Sequence, residues 1–240
     1  MSTGARYIAI GFTAHRSSKM FMGKYKSEEE LRDVLGLEKL SKAAAKHLYV
    51  FEVCEASEKS CLWLISFDVK AVRVRDPKRA EKAYRKPSHE YHDIKELLFT
   101  YLCGSVDLST YICFEDYSQA VESYLSKVTE PSKFRVEAFY VKPLSEKERL
   151  FVREAILRTV EWLVAMSMSL ASSIEKVDKR ALWRVERSAR EFLERVAFAE
   201  KSVNSISEKA RAIGAELDLR DALRDARERV EKAIEARQSV

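Results

Sequence analysis

Trp162-Leu-Val-Ala-Met-Ser-Met-Ser-Leu-Ala-Ser-Ser-Ile174 is a run of thirteen residues without a charge, in a chain where 34% of residues are charged. It is too short and too rich in serine for a bilayer span, which needs roughly 20 apolar residues. A charge-free helix in a soluble chain is expected to be covered on all sides, by neighbouring helices or by a second copy. Around it, Ser145 to about Arg237 contains no proline, and its only glycine is Gly214. Residues 144–240 therefore read as a helical region, a coiled coil or a helical bundle.

The apolar positions in this region step by four and three, the spacing of a helix seam. Ile156, Val160, Leu163, Leu170 and Ile174 form one block, and Leu182, Val185, Phe192, Val196, Val203 and Ile206 form a second. A third follows Gly214, with Asp218 as a candidate N-cap. The phase slips once between Val177 and Leu182, where no Gly, Pro or Asn stands. A stutter of this kind is tolerated inside a continuous helix. The expectation is thus a long helix rather than a fold-back at Asp178, with the two blocks as an oligomer interface between copies of the chain.

Residues 1–143 read as an α+β domain. Arg6–Thr13 is a first strand and Met20–Tyr25 a second that pairs back on it. Ser27 with Glu30 makes a capping box for a helix ending at Gly36. Leu48–Cys54 and Cys61–Arg75 look like a hairpin, with Trp63, Ile65, Phe67 and Val69 on one face and a change of phase near Lys70-Ala71. A helix from His89 to Cys103 should stop at Gly104; Ser109–Phe114, Tyr117–Val128 and Phe134–Val141 then read as strand, helix and strand. The order resembles a βαββαβ unit with an added helix and strand. One mixed sheet covered by helices on one face is the economical arrangement.

Composition narrows the setting. Asn204, Gln119 and Gln238 are the only amide side chains in 240 residues, beside 43 Lys and Arg. Scarce thermolabile amides and abundant charge point to a thermophilic source. The first residues show no charged and then apolar leader, so a cytoplasmic location without a membrane partner is expected. Cys54, Cys61, Cys103 and Cys113 lack zinc-ribbon spacing and sit in apolar runs, as free buried thiols do. A Cys54–Cys61 bridge is the alternative, since hyperthermophile cytosol tolerates disulfides.

The strongest charge imbalance falls at Lys70, Arg73, Arg75, Lys78, Arg79, Lys82, Arg85 and Lys86, against only Asp76 and Glu81. That local excess is larger than the net +5 of the whole chain. Tyr84 lies among these cations, and cations interleaved with aromatics suit a phosphate backbone carrying stackable bases. The competing explanation is a solvated strand end and loop. His89, His92 and Glu96 share one helical face and could hold a divalent metal, but the spacing is not HExxH and no second ligand cluster answers it. Glu115 and Asp116 could bind Mg²⁺ after a strand, or cap the next helix.

No phosphate loop, nucleophile elbow or cofactor fingerprint stands in the sequence, and no cofactor is expected. The leading expectation is a non-enzymatic, oligomeric binding or scaffold protein that contacts DNA or RNA through the basic segment. A metal-dependent hydrolase or nuclease is the first alternative. An architectural subunit bound to another protein is the second.

Overall fold

The computed structural model describes residues 4–12, 19–36, 45–55, 61–70, 87–178, 181–215 and 217–238. The strands are β1 (Tyr7–Phe12), β2 (Lys19–Tyr25), β3 (Leu48–Val53), β4 (Leu62–Val69), β5 (Gly104–Ser105), β6 (Thr110–Cys113) and β7 (Phe134–Pro143). The helices are α1 (Glu28–Leu35), α2 (Pro87–Thr100), α3 (Ser118–Val128), α4 (Glu146–Lys176), α5 (Leu182–Ala212) and α6 (Arg220–Gln238). The α+β class holds, with a sheet in the first part and a long helical region after it.

The seven strands form one sheet in the order β2-β1-β3-β7-β4-β6-β5. Every pairing is antiparallel, where a mixed sheet was the expectation. The anticipated hairpin of β3 and β4 does not form, because β7 inserts between them. β3 holds β7 through only Phe51–Pro143, Glu52–Lys142 and Val53–Val141, while β4 pairs with β7 from Leu62–Val141 to Val69–Phe134. Cys54 and Cys61 therefore flank β7 instead of closing a hairpin, and they are joined as a disulfide. Cys103 and Cys113 form a second bridge, so all four expected thiols are paired. Cys103 and Cys113 extend the antiparallel Gly104–Ile112 pairing by one step, and their Cα atoms stand 4.4 Å apart.

Both faces of the sheet are covered, rather than one. On the first face Ile65, Phe67, Val69, Tyr111 and Cys113 pack with Ile94 and Leu98 of α2 and Val121 and Leu125 of α3. Beside them Tyr7, Ala9, Leu48 and Tyr25 pack with Leu31 of α1. On the second face Ile8, Ile10, Tyr49, Phe51, Leu62, Leu64, Ile112, Phe139 and Val141 join one continuous cluster with α4, α5 and α6. A strand buried on both sides has no polar face to show, which explains why all six residues of β1 are buried.

The start of α4 locks onto the sheet where β7 runs out. β3 extends past Pro143, leaving Leu48 and Val50 without β7 partners. The buried Glu148 carboxylate accepts the Val50 N–H at 3.2 Å and the Ser145 N–H at 3.1 Å. The Lys147 ammonium donates to the Leu48 and Ala45 carbonyls. The first turn of α4 thus stands in for a missing strand, and its capping box serves both helix and sheet. Seven residues on, Ala155 and Ile156 press onto β5 so closely that a Cβ on Gly104 would lie 2.8–2.9 Å from their backbone atoms. Thr159 donates its hydroxyl to the Cys103 carbonyl at 2.8 Å. Gly104 is therefore a strand residue under a helix; it does not end α2, which stops at Thr100.

Beyond Trp162 the neighbours of α4 are helices. Arg229 of α6 donates to Ser167 at 2.7 Å, and Arg237 donates to the Val177 carbonyl at 2.8 Å, so α6 runs parallel to α4. Arg227 of α6 meets Glu200 of α5, and Arg220 meets Asn204, so α5 runs the other way. The long rod is thus corrected to an up-down-up bundle. α4 ends at Val177, whose extended backbone (φ −70°, ψ 145°) breaks the helix without help from Gly or Pro. Ala181 precedes α5 with no side-chain cap, its N–H donates to the Asp178 carbonyl at 2.9 Å, and burial of both apolar stripes favours the fold-back. The charge-free run is not covered all round either: Ala165, Met168, Ser169 and Ser173 remain exposed.

Replacing Glu148 by Ala removes a cap and strands the Val50 N–H, which should cost about 2–4 kcal/mol in urea denaturation. Glu146→Ala, on the exposed side of the same turn, should change stability by less than about 0.5 kcal/mol. Equal effects of the two would refute the anchoring role of Glu148.

Candidate nucleic-acid interface

Of the expected nucleic-acid contacts, only Lys70 falls among the described residues. Arg73, Arg75, Lys78, Arg79, Lys82, Tyr84, Arg85 and Lys86 lie outside them, as does the phase change expected near Ala71. What the structure gives is the root of the segment on either side: Lys70, next to the end of β4, and Pro87, the first residue of α2.

The root is built from β4, the start of β7 and the first turns of α2. Lys70 N–H donates to the Lys133 carbonyl at 2.7 Å, prolonging the β4–β7 ladder by one bond. Tyr91 of α2 accepts the Val69 N–H at 3.1 Å, and its ring stacks on Phe67 with centroids 5.3 Å apart. Burial raises the Tyr91 hydroxyl above its ordinary pKa of 10, and the nearby Asp68 adds to the effect. The side chain therefore stays neutral and structural at physiological pH.

Cations gather at this end of the sheet. Arg135 and Lys24 share the single carboxylate of Glu137, the latter at 2.9 Å. Lys133 meets Glu130 at 2.8 Å, and Lys70 has no ion pair among the described residues. Lys24 reaches across from β2, so the first strands do approach the long ones. Four cations stand against Glu130, Glu137, Asp68 and Asp107, the last close enough to act on the Tyr91 hydroxyl, so the described root carries no excess of positive charge of its own. The segment in sequence between Lys70 and Pro87 adds seven more cations against two acids.

The candidate metal ligands are drawn into other contacts. Glu96 accepts from Arg195 of α5 at 2.9 Å and faces His92 at 3.5 Å, so Glu96 is tied to the bundle while His92 stays exposed to solvent. The His89 side chain lies outside the described set. Glu115 meets Lys209 at 3.2 Å, while Asp116 accepts the Ser118 N–H at 2.9 Å, the capping role. Among the described residues no three His, Cys, Asp or Glu side chains converge on a point that could hold a metal ion. None of the helices described is long and apolar enough to cross a membrane.

The expected oligomer interface is occupied from within. Ile156, Val160, Leu163, Ile174, Phe192, Val196, Val203 and Ile206 are buried in the chain's own core, and Leu170 and Val185 pack against it. Leu182, at the first position of α5, is half-buried. The heptad stripes need no second copy, because α4, α5 and α6 cover one another. This was hidden in the sequence, since a seam reads the same whether its partner lies in the same chain or another.

No protein family, curated protein or solved structure matches the chain. The site must therefore be read from its own geometry.

With the stripes satisfied internally, the purified chain should scatter light as a single copy at micromolar concentration. A stable dimer at that concentration would show that another surface, such as the one around exposed Met168 or Trp183, carries association.

Proposed function

We propose that this chain is a non-enzymatic nucleic-acid-binding protein whose contact is the basic segment between β4 and α2. The observation that carries the reading is the placement of that segment's root. It springs from the sheet end where Lys24, Lys70, Lys133 and Arg135 already collect. The α+β body holds both ends of the segment in fixed positions, and several Lys and Arg side chains neutralise phosphates with release of counterions. Tyr84 offers a ring on which an unpaired base can stack.

The metal-dependent hydrolase reading draws no support from the arrangement of Glu96, Glu115 and Asp116, each of which has a structural partner. The architectural reading, in which the same cations meet an acidic protein face, uses the same segment and is separated by experiment. The scarcity of amide side chains and the two disulfide bridges together favour a heat-loving cell, where bridges occur inside the cytosol. Assembly into oligomers is no longer part of the reading.

Fluorescence anisotropy with labelled single-stranded and duplex oligonucleotides tests the proposal. If four cations contact phosphates, affinity should fall by roughly a hundredfold between 50 and 200 mM salt. Replacing Arg73, Arg75, Lys78 and Arg79 together by Ser should abolish most of that salt dependence. Binding that ignores salt, or that survives the four substitutions, contradicts the reading. Loss of a protein partner with no effect on oligonucleotide binding favours the architectural role.

A further inference from the structure

At the far end of β7 a second cationic feature appears, unconnected with the basic segment. β7 has ten residues, which at strand spacing separates Lys142 from the Lys133–Lys70 contact by about 30 Å. Here a cleft of about 420 Å³ opens between the end of β7, the first turn of α4 and the last turn of α5. Its described walls are Lys142, Pro143, Arg149, Arg211, Ala212, Ile213 and Gly214: three cations and, among the described residues, no carboxylate.

The three cations differ in how far they are already satisfied. Lys142 meets Glu52 at 3.3 Å. Arg149 has only Glu146, at 3.6 Å in an exposed pair one turn away, a contact worth little. Arg211 forms no ion pair or side-chain hydrogen bond among the described residues, although Glu208 lies one turn before it. Gly214 fixes the shape of the cleft. It sits at φ +74°, and the Arg149 chain passes 3.4 Å from where its Cβ would be. A side chain there would be strained by the positive φ, although its Cβ would meet Arg149 only at ordinary van der Waals distance.

The end of α5 contributes a partial negative charge of at most about one half, and its Lys209, Ala210 and Arg211 carbonyls already accept the N–H groups of Ile213, Ala215 and Gly214. Two guanidinium groups with weak or no partners outweigh that. Arginine offers a planar fork of donors suited to the oxygens of a phosphoryl group. We propose that this cleft binds a doubly charged phosphoryl group, with Arg149 and Arg211 as the paired donors and Lys142 as a third positive charge. Such a group can come from a small phosphorylated metabolite or from the end of a nucleic acid.

Calorimetric titration of the full chain with pyrophosphate at 50 mM salt tests the site directly. Arg149→Gln and Arg211→Gln should each weaken binding at least tenfold. Both side chains reach solvent, so both variants should melt at the temperature of the unaltered chain. The variant with Arg73, Arg75, Lys78 and Arg79 replaced by Ser should bind pyrophosphate as before, which separates this site from the basic segment. A 5′-phosphorylated oligonucleotide that competes with pyrophosphate, while its unphosphorylated twin does not, identifies a nucleic-acid end as the source. No competition from either oligonucleotide identifies a free metabolite. The proposal is overturned if pyrophosphate gives no heat of binding, or if Arg211→Gln binds it equally well. It is also overturned if that variant only lowers the melting temperature, the sign of a cation that merely caps α5, or if the four-serine variant loses pyrophosphate.

Discussion

Helix α4 must bury two sides at once, and the rest of the molecule is arranged around that requirement. Along its first half, Phe151, Val152 and Ile156 enter the cluster formed by Tyr49, Phe51, Leu62 and Leu64 of the sheet. Along its second half, Leu163, Ala171 and Ile174 join the side chains of α5 and α6. Two features fix its height over the sheet: the Glu148 carboxylate on the Val50 amide, and the absence of a side chain at Gly104. The first holds the helix down at β3 and the second lets it settle onto β5. The α+β part and the helical part consequently share one continuous apolar cluster, and the join after Pro143 is a short turn at its edge, with Leu144 and Ser145 exposed.

Much of this was legible in the residues, and the failures have physical causes. The capping box at Ser145 read correctly because it depends on neighbours three residues apart. At Ser27 the hydroxyl takes the Glu30 N–H as expected, but the Glu30 carboxylate reaches one residue further back, to the Lys26 N–H. The alternation of Trp63, Ile65, Phe67 and Val69 gave one face of β4, yet Leu62 and Leu64 on the other face are equally buried. Coverage of both faces was hinted at by the unbroken apolar run of β1. The insertion of β7 between β3 and β4 left no local trace, since strand order is set by long-range pairing. Gly104 read as a helix stop because a glycine after an apolar stripe usually is one; only the approach of α4 reveals its other use. The turn at Val177 was likewise invisible, as no residue there forbids a helix.

The candidate sites follow the same division. The charge excess between Lys70 and Lys86 is a property of sequence, and the structure adds where it is rooted and which cations surround the root. The cleft of Lys142, Arg149 and Arg211 could not be read in advance, because its members come from three separate elements. Conversely, Glu96 could be paired with His92 as a weak metal candidate in the sequence, whereas the structure gives Glu96 to Arg195 of α5 and leaves His92 exposed. A side chain's role depends on what reaches it, and that is decided by the packing of the bundle on the sheet.

If α4 is a shared element, the sheet and the bundle cannot unfold separately. Native-state hydrogen exchange on the full chain measures this directly. The slowest amides of β4 and of α6 should open with the same free energy, equal to that of global unfolding. Amides of α6 that open cooperatively at a distinctly lower free energy, while β4 stays protected, would contradict a common core and make the helical region a separate unit.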